Sequence, residues 1–173
     1  MGEVLEQLIA KAAVRDLIYS YPRGLDRLDP DLLRSIAHPG ATMKFLGMFD
    51  GSWDDFVAWL MKAHTDMLYN RHTIGNVLIE VKGDRAVSET TATAHLIVGR
   101  ADGQVEDRDT HSRYLDNWER RDGRWGLVNR LTLKDHRRIR VMGREEFDAQ
   151  VEYVHAADVL RDDPSYAHFA SLA

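Results

Sequence analysis

Four stretches of the chain, residues 77–81, 86–98, 108–119 and 125–133, alternate in polarity or are rich in β-branched side chains. The turn signals Lys82-Gly83-Asp84, Ala101-Asp102-Gly103 and Arg121-Asp122-Gly123 separate them. No other feature narrows the fold so far. A period of two sends alternate side chains to opposite faces of a sheet, and tight Gly-containing turns join neighbours in antiparallel order. The pattern predicts an antiparallel meander of four strands in the second half of the chain.

The first half repeats with the helical period. Leu5, Leu8, Ile9, Ala12, Ala13, Leu17 and Ile18 recur at helical spacing, with Glu3, Glu6, Lys11, Arg15 and Asp16 on the other side. Tyr21, Leu25 and Leu28 continue the apolar stripe, so one long helix with a kink or break near Pro22 is expected. Asp29-Pro30 reads as an N-cap followed by proline at the first helical position, opening a short helix that His38-Pro39-Gly40 stops. Residues 42–49 read as a short extended segment. Ser52 caps a third helix, with Asp55 at the capping-box position and Phe56, Trp59, Leu60 and Ala63 facing inward. Residues 144–160 are helical in pattern, and Arg161-Asp162-Asp163-Pro164 ends them.

Helices followed by long strands predict an α+β layer architecture: a curved, mostly antiparallel sheet packed on the N-terminal helices and enclosing a pocket. No repeat or long linker divides the chain. Residues 1–173 are expected to form a single domain, with 140–173 a helical tail covering the pocket or an interface.

Composition limits the chemistry. A chain of 173 residues is long enough to bury a core. The lack of Cys excludes disulfides, thiolate metal sites and a thiol nucleophile. With 23 Lys+Arg against 28 Asp+Glu, the formal charge of −5 disfavours nonspecific binding to nucleic acid or a membrane surface. No apolar run approaches the ~20 residues that span a bilayer. The opening MGEVLEQLIAKAAVRD lacks a signal-peptide core, and a cytoplasmic location is expected. The eight His show no spacing such as H-E-x-x-H, and Gly-rich phosphate loops are absent, so neither a metal nor a nucleotide cofactor is expected. Histidines, carboxylates, Tyr and Arg remain as the reactive groups.

Four segments in order, AAVRDLIYSYPRGLDRLDPDLL, NRHTIGN, SRYLDNWERRDGRWGLVNR and RDDPSYAHF, resemble the SnoaL-like branch of the NTF2-like superfamily. That branch includes dehydratases, dehydrochlorinases and carbon–carbon lyases that release formaldehyde from lignin-derived diarylpropanes. The resemblance implies a cone-shaped α+β fold, cofactor-free elimination chemistry, a small-molecule substrate and a homo-oligomer, a trimer or else a dimer. It implies that an Asp at the end of the first helix orients a His on the first long strand, which acts as base. The matching positions are Asp26 and His72. A Tyr five residues before the Asp falls on Tyr21, and an Arg of the last strand falls on Arg130. Dehydratases of this branch use a further acidic or His residue in mid-sheet, for which His95, Asp109 and His111 are candidates.

Elementary chemistry gives each of these a task. Neutral imidazole, with a reference pKa of ~6.5, takes a proton at neutral pH without large tuning. A carboxylate on its other nitrogen fixes the tautomer and stabilises the imidazolium. Tyr21 can donate to a leaving oxygen or a carbonyl, and Tyr19, seven residues before Asp26, is placed by helical spacing on the same face as Asp26. Arg130, amid Leu127, Val128, Leu131 and Leu133, must pair with a carboxylate such as Asp26 or Asp109, or meet an anionic substrate oxygen. The basic run Asp135-His136-Arg137-Arg138-Ile139-Arg140 reads as a solvated strand end. Trp59 is expected in the core or pocket wall, favouring an aromatic or polycyclic substrate.

The expected activity is a lyase acting by His–Asp proton abstraction on a hydrophobic hydroxylated ring compound. The alternatives are formaldehyde-releasing carbon–carbon cleavage of a diarylpropane diol, a ketosteroid-isomerase-like isomerisation, and a non-catalytic small-molecule binding module.

Overall fold

The structure, a computed structural model, describes residues 2–153 and 160–172. The first helix, α1 (Gly2–Asp26), runs through Pro22 without interruption. It buries Ala10, Val14, Ile18, Tyr21 and Leu25, residues three or four apart on one face. Leu5, Leu8 and Ile9, expected on that face, are instead exposed, at 57–61%. The packed part of α1 begins at Ala10, and the turns before it have no cover among the described residues.

Helix α2 (Pro30–Ser35) begins as expected: the Asp29 carboxylate accepts from the Leu32 N–H at 3.0 Å. Gly24 lets the two helices touch, since a Cβ there would meet Leu33 at 2.7 Å. His38-Pro39-Gly40 does not terminate this element. Helix α2 ends earlier, and the three residues lie in strand β1 (Ala37–Phe45), where the pairing shifts register and Gly40 adopts φ +82°. The single extended segment expected at 42–49 is thus two strands, β1 and β2 (Phe49–Ser52), joined by a tight turn. Helix α3 (Trp53–Thr65) starts at Ser52, whose hydroxyl accepts from the Asp55 N–H and donates to its carboxylate.

The meander comprises β3 (Met67–Lys82), β4 (Arg85–Gly99), β5 (Gln104–Arg121) and β6 (Arg124–Gly143). Strand β1 adds to β6 in parallel, giving one six-stranded sheet of order β2-β1-β6-β5-β4-β3. Strand β3 starts ten residues before the expected 77, because a register shift between Ile74 and Val77 resets the alternation and hides the earlier half. Strand β6 likewise continues through the basic run, which is exposed as expected.

Helices α1, α2 and α3 cover one face of the sheet, with Trp53, Phe56, Val57 and Leu60 of α3 in the main core. Each such burial contributes about 1.5–3 kcal/mol. The tail differs from its pattern: helix α4 (Arg144–Gln150) stops well short of 160, and residues 154–159 lie outside the described part. Asp163, read as part of a stop, instead caps a start, accepting from the Ser165 N–H at the head of α5 (Pro164–Ala170). That helix docks on the end of α1. Arg27 pairs with Asp163 at 2.8 Å, Tyr166 donates to Asp29, and the Arg23 guanidinium lies 5.0 Å from the Tyr166 ring centroid. No helix among the described residues is long and apolar enough to cross a membrane.

Candidate active site

The last turn of α1 supplies the carboxylate of the site. Asp26 is 7% exposed, and it accepts from the His72 backbone N–H at 2.9 and 3.1 Å and meets His72 Nδ1 at 2.9 Å. Arg71 stands 3.9 Å away, itself largely in solvent. An ionised carboxylate only accepts, so His72 carries its proton on Nδ1 and leaves Nε2 with a free lone pair. The pair is buried on both sides, each side chain 8% exposed.

His72 and Tyr21 line a cavity of about 350 Å³ between α1, α3 and the inner sheet face. Met43, Phe45, Phe56, Trp59, Leu60 and Leu96 form an apolar wall, and Thr110, Ser112 and Thr132 interrupt it with hydroxyls. Arg108, Lys134 and Arg137 supply positive charge, and Arg108 is held by Glu106. This composition suits an apolar ring with a few polar substituents.

Arg130 is completely buried, but its partner is neither Asp26 nor Asp109. It forms a bidentate pair with Asp116, at 2.7 and 2.8 Å. The hairpin register explains the choice, since Asp116 and Arg130 face each other across β5 and β6. Arg130 is not part of the cavity lining. Its guanidinium lies 4.1 Å from the Tyr21 ring centroid and 4.5 Å from that of Tyr114, behind two rings that do line the cavity. Burial opposes its charge, but the Asp116 carboxylate outweighs this and holds the guanidinium pKa above its ordinary value. Burial also raises the pKa of Tyr21, against the pull of the Arg130 cation, and raises that of Tyr114. Both phenols are neutral and can donate.

The structure does not bring the remaining candidates to this cavity. Tyr19 is 50% exposed, because Tyr21 and Leu25, one turn apart, take the inward face of α1. Strands β4 and β5 send Ala94, Leu96, Thr110 and Ser112 inward, so His95, Asp109 and His111, in the opposite phase, lie on the outer face. There His95 Nε2 meets Asp107 at 2.7 Å, Asp109 pairs with Arg138, and His111 Nδ1 stands 3.4 Å from the Thr93 hydroxyl. Trp59 does reach the cavity.

His64 and Asn70 were not singled out by sequence. His64, at the end of α3, lines the cavity and stacks on His72 with ring centroids 5.7 Å apart and planes at 10°. Its Nδ1 stands 2.9 Å from the Asn70 amide nitrogen. Burial, then repulsion from His72, lowers its pKa to about 3. The eight-residue spacing from His64 to His72 carries no metal-site signature. Only the turn from α3 into β3 brings the rings together. No group of three or more His, Cys, Asp or Glu able to hold a metal occurs among the described residues.

Residues 6–131 match the family model of the SnoaL-like domain. No curated protein sequence matches the chain. Among solved structures, a protein described as a scytalone dehydratase from Novosphingobium aromaticivorans superposes with TM-score 0.68 at 17% identity, covering 80% of this chain and 91% of the other. A hexachlorocyclohexane dehydrochlorinase from Novosphingobium barchaimii gives TM-score 0.63 at 20% identity, covering 85% and 95%. A protein of unknown function from Mycobacterium tuberculosis gives TM-score 0.65 at 21% identity, covering 92% and 89%.

Proposed function

The chain belongs to the SnoaL-like domain family, and from that premise we propose that it is a cofactor-independent lyase. Its substrate is a hydrophobic, hydroxylated ring compound. The observation that carries this reading is the buried Asp26–His72 pair at the wall of an apolar cavity. His72 Nε2 takes a proton from carbon, and Asp26 stabilises the imidazolium that results. The C–H electron pair becomes the new double bond, and the C–O pair departs with the oxygen. The proton on His72 then neutralises that hydroxide as water. Tyr21 donates to the substrate oxygen, and Arg130 acts behind it by fixing the two tyrosine rings.

Fold neighbours that are a dehydrochlorinase and a protein described as a dehydratase support an elimination. An isomerase using Asp26 as its base finds less support, because two N–H groups of His72, one backbone and one ring, already occupy that carboxylate. Self-association draws support from the exposed apolar turns at Val4, Leu5, Leu8 and Ile9.

The test is a screen of aromatic diols, diarylpropane diols and hydroxylated polycycles for loss of water or formaldehyde, with His72→Ala as control. Turnover that depends on His72 and survives a chelator supports the reading. Turnover unchanged by His72→Ala rejects it. Formaldehyde instead of water would assign the carbon–carbon variant, in which His72 removes a hydroxyl proton.

A further inference from the structure

We infer that His64 is a second functional histidine, a fixed neutral hydrogen-bond donor that presents its Nε2–H to an oxygen atom of the substrate. The contact that fixes its tautomer begins at Leu25, one residue before Asp26. The Leu25 carbonyl can only accept, and the Asn70 side chain meets it at 2.9 Å. The amide nitrogen of Asn70 must therefore face Leu25, since its oxygen in that position would oppose a second oxygen. The same nitrogen holds a second hydrogen, and His64 Nδ1 stands 2.9 Å from it. Nδ1 is thus the acceptor, and the proton of the neutral ring sits on Nε2. Asn70 is 7% exposed and its amide is enclosed, so it does not turn freely.

The two stacked rings consequently hold opposite tautomers. His72 bears its proton on Nδ1, against Asp26, and offers a bare Nε2. His64 has a bare Nδ1, against Asn70, and offers Nε2–H. Consecutive residues of α1, Leu25 through its carbonyl and Asp26 through its carboxylate, set both states. Both rings line the same cavity. A base and a donor side by side suit removal of a proton and support of the oxygen that receives the developing charge. His64 donates without losing its proton, so the proton balance stays with His72. The arrangement selects substrates carrying an oxygen acceptor, a carbonyl, ether or departing hydroxyl, over those whose leaving group is a halogen.

The role of His64 in turnover rests on the lyase reading; the tautomer does not, and it is measured separately. In the full chain labelled with 15N-histidine at pH 7, His64 should show an unprotonated Nδ1 and a protonated Nε2, with His72 the reverse. His64→Phe and His72→Phe assign the signals. A protonated Nδ1 on His64, or a ring averaging both tautomers, overturns the proposal whether or not any ligand binds. Binding then tests whether the donor reaches the cavity. The acceptor 2-acetylnaphthalene should bind about three- to tenfold tighter than its isostere 2-isopropenylnaphthalene, the ratio one neutral hydrogen bond supplies. His64→Phe, which keeps an aromatic ring, should abolish that preference. Equal affinities in the native chain, or a preference that survives His64→Phe, would reject the donor role. Failure of the lyase reading would leave both measurements as expected.

Discussion

Among the described residues, two His–carboxylate pairs of nearly equal hydrogen-bond length lie on opposite faces of one sheet. His72 and Asp26 meet at 2.9 Å with each side chain 8% exposed, whereas His95 and Asp107 meet at 2.7 Å with 43% and 27% exposed. The contact distance does not distinguish them. Their surroundings do. The inner carboxylate is also bound by a backbone N–H and buried at the end of a helix, so its partner's tautomer is fixed and that partner lines a largely apolar cavity. The outer pair is partly exposed to solvent, where an ion pair contributes about 0–1 kcal/mol and water competes for each proton. A base for carbon acids needs the enclosure as much as the partner.

The two pairs should differ most at their histidines. His72→Ala should lower turnover, on whichever substrate the screen identifies, by about a thousandfold or more, while His95→Ala stays within about twofold. Equal losses would mean that burial does not separate the pairs. The carboxylates should follow with a smaller effect. Asp26→Asn is expected to cost about a hundredfold or more in kcat by releasing the tautomer, and Asp107→Asn should change little; steady-state kinetics on the four variants checks both.

A third pair, Arg130–Asp116, isolates burial from cavity access, being fully enclosed and outside the lining. Arg130→Met should destabilise the fold by roughly 3–5 kcal/mol in urea unfolding, by stranding Asp116. Arg130→Met with Asp116→Leu should recover much of that. A single variant costing under about 1 kcal/mol would show that the pair does not hold the tyrosines.

The smallest effect belongs to His64, whose pKa is about 3 in the fold and ~6.5 in the unfolded chain. Its native-state pKa is depressed, so the penalty is absent above pH 6.5. It grows as pH falls towards 3, because the unfolded chain binds a proton that the native ring refuses. The slope approaches about 1.4 kcal/mol per pH unit, or about 2 kcal/mol between pH 7 and pH 5. His64→Phe should flatten that part of the stability–pH curve, and an unchanged curve would place the titration elsewhere.

Legibility in the sequence followed the range of the interactions. Caps at Asp29 and Ser52 and the alternation of the meander are local, and they were readable residue by residue. Asp26 and His72, 46 positions apart, were readable through family resemblance, since no spacing rule links a helix end to a strand so distant. The partner of Arg130 was concealed by one residue of backbone. The register at the turn, with Arg121 opposite Arg124, would set Arg130 against Leu115, but a register shift between Asn117 and Trp118 sets it against Asp116. His95, Asp109 and His111 failed as helpers for a related reason. Their types suit the chemistry, but a period of two allows only one phase to enter the cavity, and that phase belongs to Ala94, Thr110 and Ser112. His64 and Asn70 were unreadable because their value lies in a relay from the Leu25 carbonyl through the Asn70 amide to His64, which only the folded chain supplies.

The clasp between α5 and the end of α1 ties together residues about 137 positions apart. During synthesis the segment that forms α1 leaves the ribosome well before the segment that forms α5. Arg27 and Asp29, just after Asp26, therefore wait for their partners Asp163 and Tyr166 while the whole sheet is synthesised. The loop that follows Asp26 is thus braced only after the strands that wall the cavity have been made.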